Sequence, residues 1–179
     1  MVDQGSGMDI DQLVAEHYQP VYRYAYRLTG SSADAEDLTQ QVFLVAQQKL
    51  GQLRRIERAR GWLFTILRNS FLKSRKRRQP VLAGGLGLSI DTIPAQVPRE
   101  ADIDNERLQA ALDQLPDNFR LVLVMFYFED ASYREIAEAL DLPIGTVMSR
   151  LARAKGHLRA KLFRPDHAGA QARHADSTP

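Results

Sequence analysis

The sequence predicts an all-α fold of two small helical domains joined by a flexible linker, the second domain ending in a helix-turn-helix. Three observations carry this. Apolar residues recur at spacings of three and four along most of the chain, and no stretch alternates as a half-buried strand would. That periodicity vanishes over 79–100, where PVLAGGLGLSIDTIPAQVPRE holds three prolines and three glycines. Finally, Ser132 to Leu162 reads as two helices separated by a short break. The division is therefore a disordered amino terminus over 1–10, a domain over 11–78, a linker over 79–100, a domain over 101–164 and a disordered tail over 165–179.

The first helix begins at Asp9 or Asp11. Leu13 (or Val14), Tyr18, Val21, Tyr22, Ala25 and Leu28 form its stripe, and Gly30 stops it. Ser31-Ser32 lead into a second helix with Asp34, Glu36 and Asp37 near its start, where the macrodipole favours negative charge. Ala35, Leu38, Val42, Val45 and Ala46 face its core and Gly51 closes it, leaving an acidic, glutamine-rich face of Asp37, Gln40, Gln41, Gln47 and Gln48. A basic connector over 52–60 precedes a third helix, from about Gly61 to Arg78. Trp62, Leu63, Ile66, Leu67 and Phe71 make its apolar side; Arg68, Asn69, Lys73, Arg75, Lys76, Arg77 and Arg78 make the remainder. Basic residues interleaved with aromatics suit a surface that grips phosphates while unstacked bases rest nearby, although Trp62 reads first as core.

Helix resumes at about Ala101 with Ile103, Leu108, Ala111 and Leu112 inward. Leu115-Pro116 breaks it, and Asn118 to Phe128 forms the next segment through Leu121, Val122, Val124, Met125 and Phe128. Ser132 and Glu135 stand in capping-box spacing, so a helix starts at Tyr133 and runs to about Leu140, with Ile136, Ala137 and Leu140 inward. Asp141, Leu142 and Pro143 interrupt it. In the last helix Val147, Leu151, Ala154 and Leu158 pack inward, and Arg150, Arg153, Lys155, Arg159 and Lys161 supply a basic side, as expected of a helix laid in a major groove.

The formal net charge of +2 hides a strongly divided map. Residues 1–53 carry seven acids against three bases, and 54–78 carry ten bases against the single acid Glu57. Residues 79–118 carry seven acids against two bases, and 142–164 carry six bases and no acid. Two basic blocks imply two nucleic-acid contacts, with the acidic blocks available for a basic protein surface.

Catalysis finds little support. There is no cysteine, so disulfides, thiolate metal sites and thiol nucleophiles are excluded, which fits a reducing compartment. Asp34, Glu36 and Asp37 are the one tight acidic cluster, and the helix dipole accounts for them. His17, His157, His167 and His174 lack metal-ligand spacing; His17 should pack beside Tyr18 and His157 should lie at the surface. No catalytic residue, metal or cofactor is therefore expected. No apolar run approaches the roughly 18 residues of a membrane span, and residues 1–10 are polar, so no membrane insertion and a cytoplasmic location are expected.

Three stretches resemble bacterial sigma factors of the extracytoplasmic-function group of the sigma-70 family: AEDLTQQVFLVAQQKL (35–50), GWLFTILRNSFLKSRKRR (61–78) and LPDNFRLVLVMFYFEDASYREIAEALDLPIGTVMSRLARAKGHLR (115–159). The resemblance covers roughly 11–78 and 101–162, and GTVMSRLARA is its most specific part. It implies a subunit that binds core RNA polymerase, through the β′ clamp helices and the β subunit, and directs initiation at promoter DNA. The polymerase contact would pass through Asp37, Gln40 and Gln41. The −10 element would be melted and held by Leu53, Arg54, Arg55, Asn69, Lys73, Arg75 and Lys76, with Asn69 and the 53–55 loop capturing a flipped base. Thr146, Ser149, Arg150 and Arg153 would read the −35 element. Most relatives also have an anti-sigma factor. Two positions depart from the family pattern: Met148 stands where lysine is common, and Leu53 where an aromatic is common. The alternative is a stand-alone helix-turn-helix repressor or activator, which leaves 35–50 without a role.

Overall fold

The computed structural model describes residues 9–78 and 105–163, and among them every regular element is helical. The expected linker, the residues before Asp9, the start of the second domain at 101–104 and the tail from Arg164 lie outside the described residues.

Helices α1 (Ile10–Thr29), α2 (Ser32–Gln48) and α3 (Ala59–Arg78) pack on one another as the first unit. Gly30 ends α1 in the left-handed conformation, φ 74°, its N–H donating to the Tyr26 carbonyl. The Ser31 hydroxyl accepts from the Asp34 N–H and so caps α2. Gly51 does not close α2: the helix stops at Gln48, because the Lys49 N–H satisfies the last carbonyls at a negative φ that needs no glycine. Gly51 instead lies in a 3₁₀ turn, Leu50–Gln52. A second such turn, Ile56–Arg58, runs directly into α3, which therefore starts two residues before Gly61, with Ala59 buried.

The second unit contains α4 (Asn105–Asp113), α5 (Asp117–Phe128), α6 (Tyr133–Leu140) and α7 (Ile144–Leu162). Pro116 stands at the N-cap of α5, where its missing N–H costs nothing. From Phe119 to Met125 every residue of α5 is buried, including Arg120, because α1, α6 and α7 all pack against it. The Ser132–Glu135 capping box forms with both reciprocal bonds, and Asp141 closes α6 at φ 53°. Val147, Leu151 and Ala154 bury one side of α7, as the spacing predicts.

The two units share one core. α1 touches α4 and α5, and the buried apolar residues apart from Ala111 form a single cluster. This contact accounts for the departures from the sequence reading. Tyr24, absent from the expected stripe, is fully buried, packed edge-on against Phe64 and facing Phe128, whereas Tyr18 and Tyr22 are only half-buried. Arg68, expected on an open basic surface, is buried and paired with Glu129. His157 is half-buried, with Nε2 enclosed, rather than at the surface.

Candidate nucleic-acid and partner interface

On α2, Asp37, Gln40 and Gln41 are all exposed, and their spacing places them on one face. Leu44 continues that face one turn later with 60% of its surface exposed, more than any other large apolar side chain among the described residues. The sequence reading missed Leu44. Its signal was available: an apolar residue outside the Ala35–Leu38–Val42 stripe, flanked on its own face by Gln41 and Gln48.

Beyond α2 the chain folds back through the two 3₁₀ turns onto the start of α3 and encloses an open cavity of about 770 Å³. Leu53, Arg54 and Arg55 line it together with Trp62 and Thr65 of α3, and the 3₁₀ turn between them adds the acid Glu57 and Arg58. Arg54 and Arg55 are exposed and Leu53 is half-buried against the core. Trp62 is half-buried, so its indole serves both readings, resting on the core and lining the cavity. Positions 62, 65, 69, 73 and 76 follow one another at helical spacing, and Thr65, Asn69, Lys73 and Lys76 are exposed. A polar and basic stripe thus leads out of the cavity along α3.

Arg75 lies off that stripe. Its guanidinium stacks over Phe71 at 5.2 Å, and its Nε bonds Asp117 of α5 at 3.1 Å. A side chain expected to contact DNA is therefore held by the second unit.

On α7, Thr146, Ser149, Arg150 and Arg153 share one face by spacing, Ser149 being exposed and the other three half-buried. Ile144 and Met148 flank them with about half of their surface exposed (49% and 51%). Lys155 does not join this face: its ammonium lies 4.2 Å from the Phe126 ring centre and 5.4 Å from that of Tyr127. Among the described residues no group of three histidine, cysteine, aspartate or glutamate side chains could hold a metal ion.

The described residues thus present an exposed acidic and amide face on α2, a cavity opening onto a cationic stripe on α3, and a helix-turn-helix that carries Arg150 and Arg153 on one face of α7. Residues 13–81 match the family model described as sigma-70 region 2, and 105–158 match that described as sigma-70, region 4. The chain is 38% identical over 174 residues to the ECF RNA polymerase sigma factor SigE of Mycolicibacterium smegmatis, covering 94% of this chain and 67% of that protein. It is 36% identical over 155 residues to the ECF RNA polymerase sigma factor SigL of Mycobacterium tuberculosis, covering 84% and 86%. Among solved structures, the sigma factor RpoE from Bartonella quintana, in complex with the anti-sigma factor NepR, superposes with a TM-score of 0.62 at 26% identity, covering 86% of this chain and 96% of that one. The chain belongs to the extracytoplasmic-function group of the sigma-70 family. It is an RNA polymerase sigma factor that directs promoter-specific initiation, and the stand-alone repressor or activator is set aside.

Proposed function

We propose that residues 11–78 hold core polymerase and the melted −10 element, and that residues 101–164 read the −35 duplex. Polymerase is bound by the α2 face of Asp37, Gln40 and Gln41, with Leu44 as the apolar centre that a stable contact needs. The observation that carries the −10 assignment is the continuity of the α3 stripe with the cavity. Lys73 and Lys76 draw in phosphates, Asn69 offers a hydrogen-bonding amide at the rim, and the Leu53–Arg54–Arg55 loop with Trp62 encloses an extruded base. Extruding a base costs a few kcal/mol, so the cavity makes the melted state depend on the base it receives. On α7, Arg150 and Arg153 reach base edges or phosphates, and Thr146 and Ser149 add hydroxyls. Met148 is exposed and carries no charge, so position 148 supplies no ionic phosphate contact.

No covalent step is needed: the protein supplies binding energy and is not an enzyme. A cytoplasmic location follows from this role, and no described helix is long and apolar enough to cross a membrane. An anti-sigma factor as regulator is supported by the relative solved with one.

The test is transcription in vitro with core polymerase on genomic fragments, with start sites mapped. Initiation that depends on this chain, and is abolished by Asp37→Arg and reduced at least about tenfold by Arg150→Ala, supports the assignments. Full activity of both variants would overturn them.

A further inference from the structure

Helix α7 carries an apolar edge beside its cationic one. We propose that Met148, with Ala152 beside it, reads the C5 methyl groups of thymines in the promoter element, so that this chain selects by methyl contact as well as through Arg150 and Arg153. That role rests on the assignment of α7 to the −35 duplex.

The side of α7 turned toward the protein is fixed by Val147, Leu151 and Ala154, which are 0%, 2% and 0% exposed. At about 100° per residue, the opposite direction falls between Gly145 and Ser149, and both are exposed. Thr146, Arg150 and Arg153 lie to one side of that line. Met148 and Ala152 lie to the other, with Ile144 one turn before Met148.

The first edge offers hydroxyl and guanidinium donors. The second offers carbon and sulfur alone: Met148 is 51% exposed, Ile144 is 49% exposed, and Ala152 is exposed as well. Lys155, further along the same edge, is turned aside, its ammonium 4.2 Å from the Phe126 ring centre. An apolar edge gains by meeting an apolar group and loses by covering a hydrogen-bonding one. In the major groove the thymine methyl is the apolar group on offer, since the other bases present donors and acceptors there.

Position and shape agree with this use. Met148 lies near the amino-terminal end of α7, the end of a recognition helix that meets base edges. Its neighbours on the outward face, Gly145, Ser149 and Ala152, are small and let the helix come close to the groove floor. A Cβ at Gly145 would meet nothing within 4 Å, so its absence serves no contact inside the chain. The unbranched, polarizable methionine side chain can then follow the floor to a methyl that a shorter apolar side chain would miss.

The test uses the holoenzyme formed with core polymerase and a labelled promoter fragment from a mapped start site. Deoxyuridine replaces each thymine of the −35 element in turn, which removes the methyl and leaves the base pairing intact. Fluorescence anisotropy should show binding weakened about fourfold at one or two positions, the factor for burying one methyl carbon. Met148→Ala should bind the unmodified fragment more weakly and show no uracil penalty at those positions, whereas Arg153→Ala should bind more weakly and keep the penalty. Met148→Lys should also lose the penalty and steepen the slope of log affinity against log salt by about one, as an added phosphate contact would. No penalty at any thymine, or an undiminished penalty in Met148→Ala, overturns the methyl reading. Promoter affinity indifferent to both Arg150→Ala and Arg153→Ala sinks the assignment of α7 itself, and the methyl reading with it.

Discussion

Arg120→Met is expected to destabilise the fold by about 3–5 kcal/mol, the range for breaking a buried charged network. Arg120 is 5% exposed on α5. Its Nη1 donates to the Leu28 carbonyl at 2.8 Å, and its Nη2 donates to the carbonyls of Asp113 at 3.0 Å and Leu115 at 3.1 Å. Leu28 and Asp113 lie in the last turns of α1 and α4, so their carbonyls lack partners within the helix and depend on this guanidinium. Hydrogen bonds to a charged group contribute about 1.5–3 kcal/mol each, which for three bonds gives a gross value of about 5–9 kcal/mol. Against it stands the desolvation of the cation, which pushes the Arg120 pKa down and is only partly offset by the Asp113 carboxylate at 3.4 Å. Methionine keeps most of the stem packing but leaves three acceptors unpaired. Urea unfolding followed by circular dichroism should show the midpoint falling by about 2 M, taking a slope of about 2 kcal/mol per molar. Arg120→Lys should fall between, since an ammonium cannot fork toward three carbonyls. A midpoint within about 0.5 M of the parent would refute the reasoning, because it would mean the three carbonyls are satisfied without the arginine.

Two further outcomes follow from local geometry. Gly30→Ala places a Cβ 2.3 Å from the Asp113 Oδ1 at a backbone φ of 74°, and Asp113 is itself held by the Gln109 amide at 2.9 Å. The left-handed strain of about 1–2 kcal/mol should lower Tm by about 4 °C in a scanning calorimeter, and an unchanged Tm would show that the end of α1 re-forms without it. At the start of α6, the Ser132 hydroxyl and then the Ser132 N–H donate to Glu135, at 2.7 and 2.8 Å, and hold its pKa below the ordinary 4.5. A depressed carboxylate pKa contributes stability that is present above the unfolded value and lost as pH falls through the folded one, so α6 should fray only in acid. An NMR titration of Glu135 with its midpoint at or above 4.5 would contradict the capping box.

Much of the fold is written locally. The capping box at Ser132 and the glycine at position 30 set helix ends through bonds within five residues, and both ends fall where the sequence places them. The apolar side of α7 follows directly from its spacing, because α7 buries only one side. Spacing fails where a helix is covered on more than one. α1 lies between its own unit and α4–α5, so Tyr24 is buried outside the stripe; α5 is enclosed from Phe119 to Met125, so its periodicity is lost in a run of apolar residues. The site divides in the same way. That Asp37, Gln40 and Gln41 share an exposed face of α2, and that Thr146, Ser149, Arg150 and Arg153 share one face of α7, depends on position along one helix and is readable from spacing. Leu44 was not read because an apolar residue is assigned inward by default, and Lys155 because its aromatic partners lie on another helix.

The charge map names the right kinds of partner but misses the pairing within the chain. Ten bases against one acid over 54–78 read as a surface requiring a polyanion, and the acids over 79–118 as a surface for a separate basic protein. In the folded chain the two blocks meet at one point, where Arg75 bonds Asp117; two turns earlier on α3, Arg68 bonds Glu129, an acid outside both blocks. Neither pairing could be inferred from spacing, since the partners stand 42 and 61 residues apart with the whole linker between them. Part of the repulsion within the basic block is thus relieved by the second unit before any nucleic acid arrives. If Arg75 contacts the −10 strand as proposed, DNA must compete with Asp117 for it. On the proposed assignment, Lys73 and Lys76 are exposed and give the strand a first foothold, so replacing both should weaken −10 binding more than replacing Arg75, which Asp117 already holds.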